Sequence, residues 1–173
     1  TGETTTASLS LASVFTATDT DGDQVVIDAG ATVTIQNDAP TQNAGVVTFA
    51  VAEDALATGN LDAVGQTATG SFSGAQLAGL VNAGADAPVA IAFNGAIAGN
   101  ATGLTQTAAP GGVAHNIVWS ASGAHEMDGV VSGGPNDGQK VFTLVQTAGV
   151  DGQYGTADDT FTFTLLNHID NGT

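Results

Sequence analysis

One lysine, Lys140, stands against seventeen acidic residues, so a fold of these 173 residues must accommodate a formal net charge of −16 with almost no basic side chain to pair it. The acids are gathered rather than spread. They cluster in Asp19-Thr20-Asp21-Gly22-Asp23, in Asn37-Asp38, in Glu53-Asp54 and in Asp151-Gly152-Gln153-Tyr154-Gly155-Thr156-Ala157-Asp158-Asp159. Like charges this close repel, the more strongly as water is excluded. A fold that draws them together needs cations from solution, and clustered oxygens select hard ones such as calcium. The competing explanation is a hydrated acidic surface that keeps the chain in solution.

The length suits one domain or two small ones, and 42% apolar residues suffice for a core. Aromatics are only 5%, so that core is built largely from small side chains. With 24 Gly and many Thr and Val, the balance favours strands joined by turns over helices. There are no cysteines, so disulfides are excluded, and bound metal is the obvious substitute staple. Apolar runs fall far short of the roughly 18 residues of a membrane span, and no basic, apolar leader opens the chain, which predicts a soluble protein. The acidity excludes nucleic acid, which needs a Lys/Arg stripe, and direct binding to an anionic membrane.

Apolar residues alternate with period two in SLSLASVF (Leu9, Leu11), ATVTIQ (Val33, Ile35), GVVTFAV (Val47, Phe49, Val51), PVAIAF (Val89, Ile91, Phe93) and TFTFTLL (Phe161, Phe163, Leu165). KVFTLVQ at 140–146 and HNIVWSA near 115–121 alternate less regularly. These read as strands with one buried face, and the Gly, Asn and Asp turns between them predict an all-β fold, an antiparallel β-sandwich of Ig or cadherin type with long loops. One short helix is expected where Leu77, Leu80 and Val81 follow a Ser73 cap at i, i+3, i+4 spacing. The Gly/Ala/Asn-rich stretch 94–112 reads as a long loop or a weak hairpin. At Asn37-Asp38-Ala39-Pro40 one strand ends, and Pro40 cannot continue a ladder, so a domain junction or a sharp crossover belongs there.

Asp19, Asp21 and Asp23 share the spacing that opens an EF-hand loop, but Gly30 stands where that loop needs a bidentate Glu and strands flank the motif. The segment is either a calcium-binding β-loop or a tight turn. Asp38 and the Glu53-Asp54 pair gain meaning together, as oxygens on a linker and on the strand after it that can clamp one cation; a plain turn is the alternative. Asp151, Asp158 and Asp159 surround Gly152 and Gly155, whose backbone freedom lets carboxylates converge on one ion; the alternative is an acidic hairpin loop.

IQNDAP resembles the Asn-Asp-x-Pro linkers of cadherin-like repeats. Taken with Thr16-Ala17-Thr18-Asp19-Thr20-Asp21-Gly22-Asp23 and Phe161-Thr162-Phe163-Thr164-Leu165-Leu166-Asn167-His168-Ile169-Asp170, the chain resembles the tandem extender repeats of giant type I-secreted RTX adhesins, least so over 94–138. The resemblance implies an extracellular, cell-surface β-sandwich repeat that folds in external calcium and forms a stalk, with any glycan or protein receptor bound elsewhere in the full protein. The glycine-rich nonapeptide repeats of the secretion signal are absent from it. In such repeats the FTFTLLNHID strand precedes the Asp-x-Asp-Gly-Asp segment, and joining Thr173 to Thr1 restores that order. The expectation is one period of a tandem array joined head to tail, with residues 1–38 completing or abutting the preceding copy and 39–173 forming the main sandwich.

No nucleophile elbow, P-loop or dinucleotide fingerprint is present, and His125-Glu126-Met127-Asp128 lacks the second His of a zinc-protease helix, so the chain reads as non-enzymatic. His115 and His125 read as strand or loop histidines in preference to a transition-metal pair. Trp119 reads as core, with a carbohydrate-binding platform as the rival. Lys140, opening a strand, is compatible with a covalent cross-link to Asn or Asp beside a catalytic acid, of the kind some surface adhesin domains form.

Overall fold

A computed structural model of the chain describes residues 6–28, 30–36, 39–60 and 64–170. The fold is all-β and antiparallel, with one short α-helix among the described residues and long loops between strands. It divides into two compact units, Thr1–Gln42 with Asn82–Pro88, and Asn43–Val81 with Val89–Thr173.

The first unit is built from two antiparallel ribbons. β1 (Thr6–Ser10) pairs with β4 (Thr32–Gln36), placing Leu9 opposite Val33 and Ala7 opposite Ile35. Between them in the chain, β2 (Phe15–Thr18) and β3 (Gln24–Ile27) form a hairpin with Phe15 opposite Ile27. Ser13, at φ 64°, turns the chain between β1 and β2. A two-residue strand, β5 (Thr41–Gln42), follows. Every residue of β1 to β4 is exposed, so backbone pairing supplies the order here, and two-stranded ribbons are marginal by themselves.

The second unit holds the core. After β6 (Thr69–Ser73) comes the helix α1 (Gly74–Ala78), and β7 (Val81–Asn82) straddles the division between the units. The Ser73 hydroxyl accepts from the Gln76 N–H while the Gln76 side chain accepts from the Ser73 N–H, a reciprocal cap. The helix ends at Ala78, before the Leu80 and Val81 that the spacing assigned to it. β8 (Ala101–Thr107), β9 (Ala114–Gly123), β10 (Glu126–Ser132), β11 (Lys140–Thr147) and β12 (Thr160–Leu165) run as a meander, and β6 adds beside β12 in a six-stranded sheet ordered β6-β12-β11-β10-β9-β8. Ile117, Val131, Val141, Phe142 and Leu165 form the buried cluster, with Val51, Leu56, Ala68, Trp119, Phe163 and Ile169 packed on it.

Six of the seven phenylalanines and the single tryptophan form one continuous series of ring contacts. It runs Trp119, Phe142, Phe163, Phe49, Phe72, Phe161, Phe93, with neighbouring centroids 5.0–5.8 Å apart. Glycines make room for it: a Cβ at Gly70 would enter the Phe49 ring, and one at Gly129 the Phe142 ring. Aromatic pairs at such spacing contribute roughly 0.5–1.5 kcal/mol each beyond the area they bury.

Two expected strands, GVVTFAV and PVAIAF, lie outside the ladders. Their alternation has another cause. Phe49 and Val51 pack onto the sheet's side chains, while Ile91 gives its N–H to the Gly155 carbonyl and accepts from the Gln146 side chain. Period two reports which side chains are buried, not whether the backbone finds a strand partner. Conversely, β8 lies inside the stretch expected to be a loop or weak hairpin, and it pairs with β9.

Candidate metal centre

The turn closing the β2–β3 hairpin is Asp19-Thr20-Asp21-Gly22-Asp23. The Asp19 N–H donates to the Asp23 carbonyl (3.0 Å), and Gly22, at φ 103°, takes the left-handed conformation that reverses the chain. The Asp19 Oδ1 accepts from the N–H groups of Asp23 (2.9 Å), Gly22 (3.1 Å) and Asp21 (3.3 Å). A hydrogen bond shared with the Asp21 side chain, together with those N–H groups, outweighs the opposing effect of burial and holds Asp19 below the ordinary carboxylate range. One carboxylate oxygen from each of Asp19, Asp21 and Asp23 lies within 4.8 Å of the others, on an exposed surface. Calcium–oxygen distances are about 2.3–2.6 Å, so oxygens this close can share an ion. Among the described residues this is the only such group of three.

The other acids of the sequence reading are placed differently. Asp159, fully enclosed, has its charge opposed by burial but accepts from Gln146 Nε2 (2.6 Å), the Gly155 N–H (2.7 Å), the Gly149 N–H (3.3 Å) and Thr156 Oγ1 (3.3 Å). The donors win, and its pKa lies below the usual value. Asp158 accepts from Thr156 Oγ1 (2.7 Å), which lowers its pKa too, and weakly from the Asp151 N–H (3.4 Å). Asp151 accepts from the Gln153 N–H (2.8 Å) in a local turn. Asp159 fastens the Gly-hinged loop to β11 through Gln146, Asp151 and Asp158 accept from donors within the loop, and the three do not form a close group of oxygens like that of Asp19, Asp21 and Asp23.

Glu53 and Asp54 open a single 3-10 turn. Glu53 Oε1 accepts from the Ile169 N–H (2.6 Å) and Asp54 Oδ2 from the Gln66 side chain (3.0 Å), so both tie the chain to its own neighbours. Asp38, with Asn37, lies outside the described residues.

The histidines are dispersed. His115 fills the space over Gly134, His125 stacks on Tyr154 with ring centres 3.5 Å apart, and His168 Nε2 sits 3.1 Å from the Thr107 carbonyl. Trp119 packs edge-on to Phe142, as the core reading expects. Among the described residues no helix is long and apolar enough to cross a membrane.

Two polar groups of consequence are absent from the acidic constellations read in the sequence. Asp170 accepts from Thr107 N (3.1 Å) and Thr107 Oγ1 (2.8 Å), pinning the C-terminal segment to β8. Asp128, fully buried in β10, lies 2.6 Å from Lys140 Nζ, with Glu126 at 2.9 Å. Asp128 first, then Glu126, raises the Lys140 pKa by hydrogen bonding to its ammonium. The alternation Glu126, Asp128 on one strand is the local sequence signal for this cluster, but Asp128 stands opposite Thr143 and Lys140 opposite Val130, so the meeting itself depends on the β10–β11 register. The chain matches no protein-family model, no curated protein and no solved structure.

Proposed function

We propose that this chain is a non-enzymatic, extracellular structural repeat, stabilised by calcium and joined head to tail with copies of itself in the stalk or filament of a bacterial surface adhesin. The carrying observation is the convergence of Asp19, Asp21 and Asp23 in the β2–β3 turn. The single lysine of the chain is engaged in β11 by Asp128 and Glu126. The triad also sits in the unit that most needs a staple. Its ribbons bury none of their strand residues, and metal that binds only the folded hairpin adds its binding energy to folding. Asp19, Asp21 and Asp23 would hold the ion, with backbone carbonyls and water completing the six to eight oxygens that calcium takes. The adhesin setting rests on the resemblance of the Asp-x-Asp-Gly-Asp, Asn-Asp-x-Pro and FTFTLLNHID segments. Against the carbohydrate-binding alternative stands the packing of the half-buried Trp119 ring nearly at right angles to Phe142 in the core.

Calorimetry with calcium, magnesium or chelator tests the reading, beside small-angle scattering from two copies in tandem. Extracellular calcium modules bind at roughly 0.1–1 mM, so about 5 mM calcium should raise the midpoint of a hairpin-unit transition by about 5 °C. Asp19→Asn with Asp21→Asn should remove that rise. Melting and molecular length indifferent to millimolar calcium would sink the proposal.

A further inference from the structure

We propose that Lys140 and Asp128 condense into an intramolecular isopeptide bond, with Glu126 relaying the proton. The first ground is contact: Nζ lies 2.6 Å from Asp128 Oδ2 and 2.9 Å from Glu126 Oε1. The second is the state of the carboxylate. Asp128 is fully buried, its Oδ2 is held by Lys140 and the Ser122 hydroxyl, and its Oδ1 has no hydrogen-bond partner. A buried, half-satisfied carboxylate is costly, and conversion to a neutral amide removes that charge.

The third ground is placement. The β10–β11 register shifts between Gly129 and Val130, setting Val130 opposite Lys140, and bulges of this kind re-aim side chains. The Lys140 backbone is fixed as well, since Asn167 Nδ2 donates to its carbonyl at 2.7 Å. Amine, carboxyl and relay group are therefore held in reach before any bond forms, which removes the entropic cost of bringing them together.

The step balances without a co-reactant. Starting from the ion pair, the ammonium gives one proton to Glu126, and Nζ attacks Asp128 Cγ. The Nζ–Cγ bond forms and a Cγ–Oδ bond breaks. The departing oxygen takes the proton returned by Glu126 and a second from nitrogen, leaving as water. Three N–H hydrogens become one amide N–H and one water, and nothing is oxidised or reduced.

The single basic residue makes the test direct, because trypsin has one cleavage site in the chain, after Lys140. The purified chain, denatured, should weigh one water less than its sequence and resist trypsin, and fragmentation should find residues 128 and 140 in one branched peptide. Full mass with cleavage after Lys140 overturns the proposal. Loss of water with cleavage retained also overturns it, since that signature belongs to a cyclic imide at one of the Asp-Gly steps, Asp128-Gly129 among them. Glu126→Gln leaves both reacting groups in place and should slow bond formation about a hundredfold, giving full-mass, cleavable chain. An equally fast bond in that variant removes the relay from the scheme.

Discussion

In β1 and β4, Leu9 faces Val33 across the ribbon, and Leu9, Val33 and Ile35 remain 52%, 43% and 53% exposed. In β11 and β12, Phe142 faces Leu165 and Gln146 faces Phe161, and all four are at most 3% exposed. Both regions carry alternating apolar residues, β11 less regularly than the rest. What separates them is an opposing layer: Phe49, Val51 and Leu56 come down on the larger sheet and complete its ring series, whereas the strand residues of the ribbons stay open to water. Alternation offers a face for burial, and only an opposing layer turns that offer into stability.

The sharpest way to break this comparison is to truncate one side chain in each region. Phe142→Ala should cost the larger unit about 3–5 kcal/mol, because it removes a buried ring and leaves a cavity. Leu9→Ala should change stability by no more than about 0.5 kcal/mol. Chemical denaturation reads both, and equal costs would mean that the ribbons share a core after all. Next in size is the fit of the covering layer. Gly70→Ala drives a methyl into the Phe49 ring and should cost about 1–3 kcal/mol, while Gly95→Ala, with open space at its Cβ, should be near neutral. A tolerated Gly70→Ala would show that Phe49 is free to shift.

The smallest expected effect separates the two carboxylate sites by pH. Asp159 has a folded pKa below its unfolded value of about 3.9, so its stabilisation is present above that value and is lost as pH falls through the lower folded pKa. Asp159→Asn should flatten the acid limb of the larger unit's stability profile below about pH 4. Asp19→Asn, although Asp19 is also shifted down, should leave that limb unchanged and act only on the hairpin. Acid limbs that respond in the opposite sense would reverse the assignment of the two sites.

Much of the candidate site was legible because it is local. Asp19, Asp21 and Asp23 converge within one five-residue turn, where spacing and a single glycine decide the geometry. The Asp151, Asp158 and Asp159 reading rested on spacing, which does not show the protein donors around these carboxylates. Gln146, the N–H groups of Gly149 and Gly155 and the Thr156 hydroxyl all donate to Asp159, contacts that no local spacing shows. For Glu53 the donor is more than a hundred residues away in the chain, at Ile169, beyond any local reading.

By itself, the sequence determined the all-β class, the capped helix at Ser73, the turn that gathers three aspartates, and the scarcity of cations that leaves those aspartates to solution. Each follows from residues within a few positions of one another, whose backbone preferences and charges act locally. Tertiary structure alone decided which alternating segments became paired strands and which became a covering layer. It also decided which carboxylates were satisfied by protein donors and that Lys140 would meet a buried Asp128. Those outcomes depend on contacts between distant segments, which burial selects and local spacing does not encode.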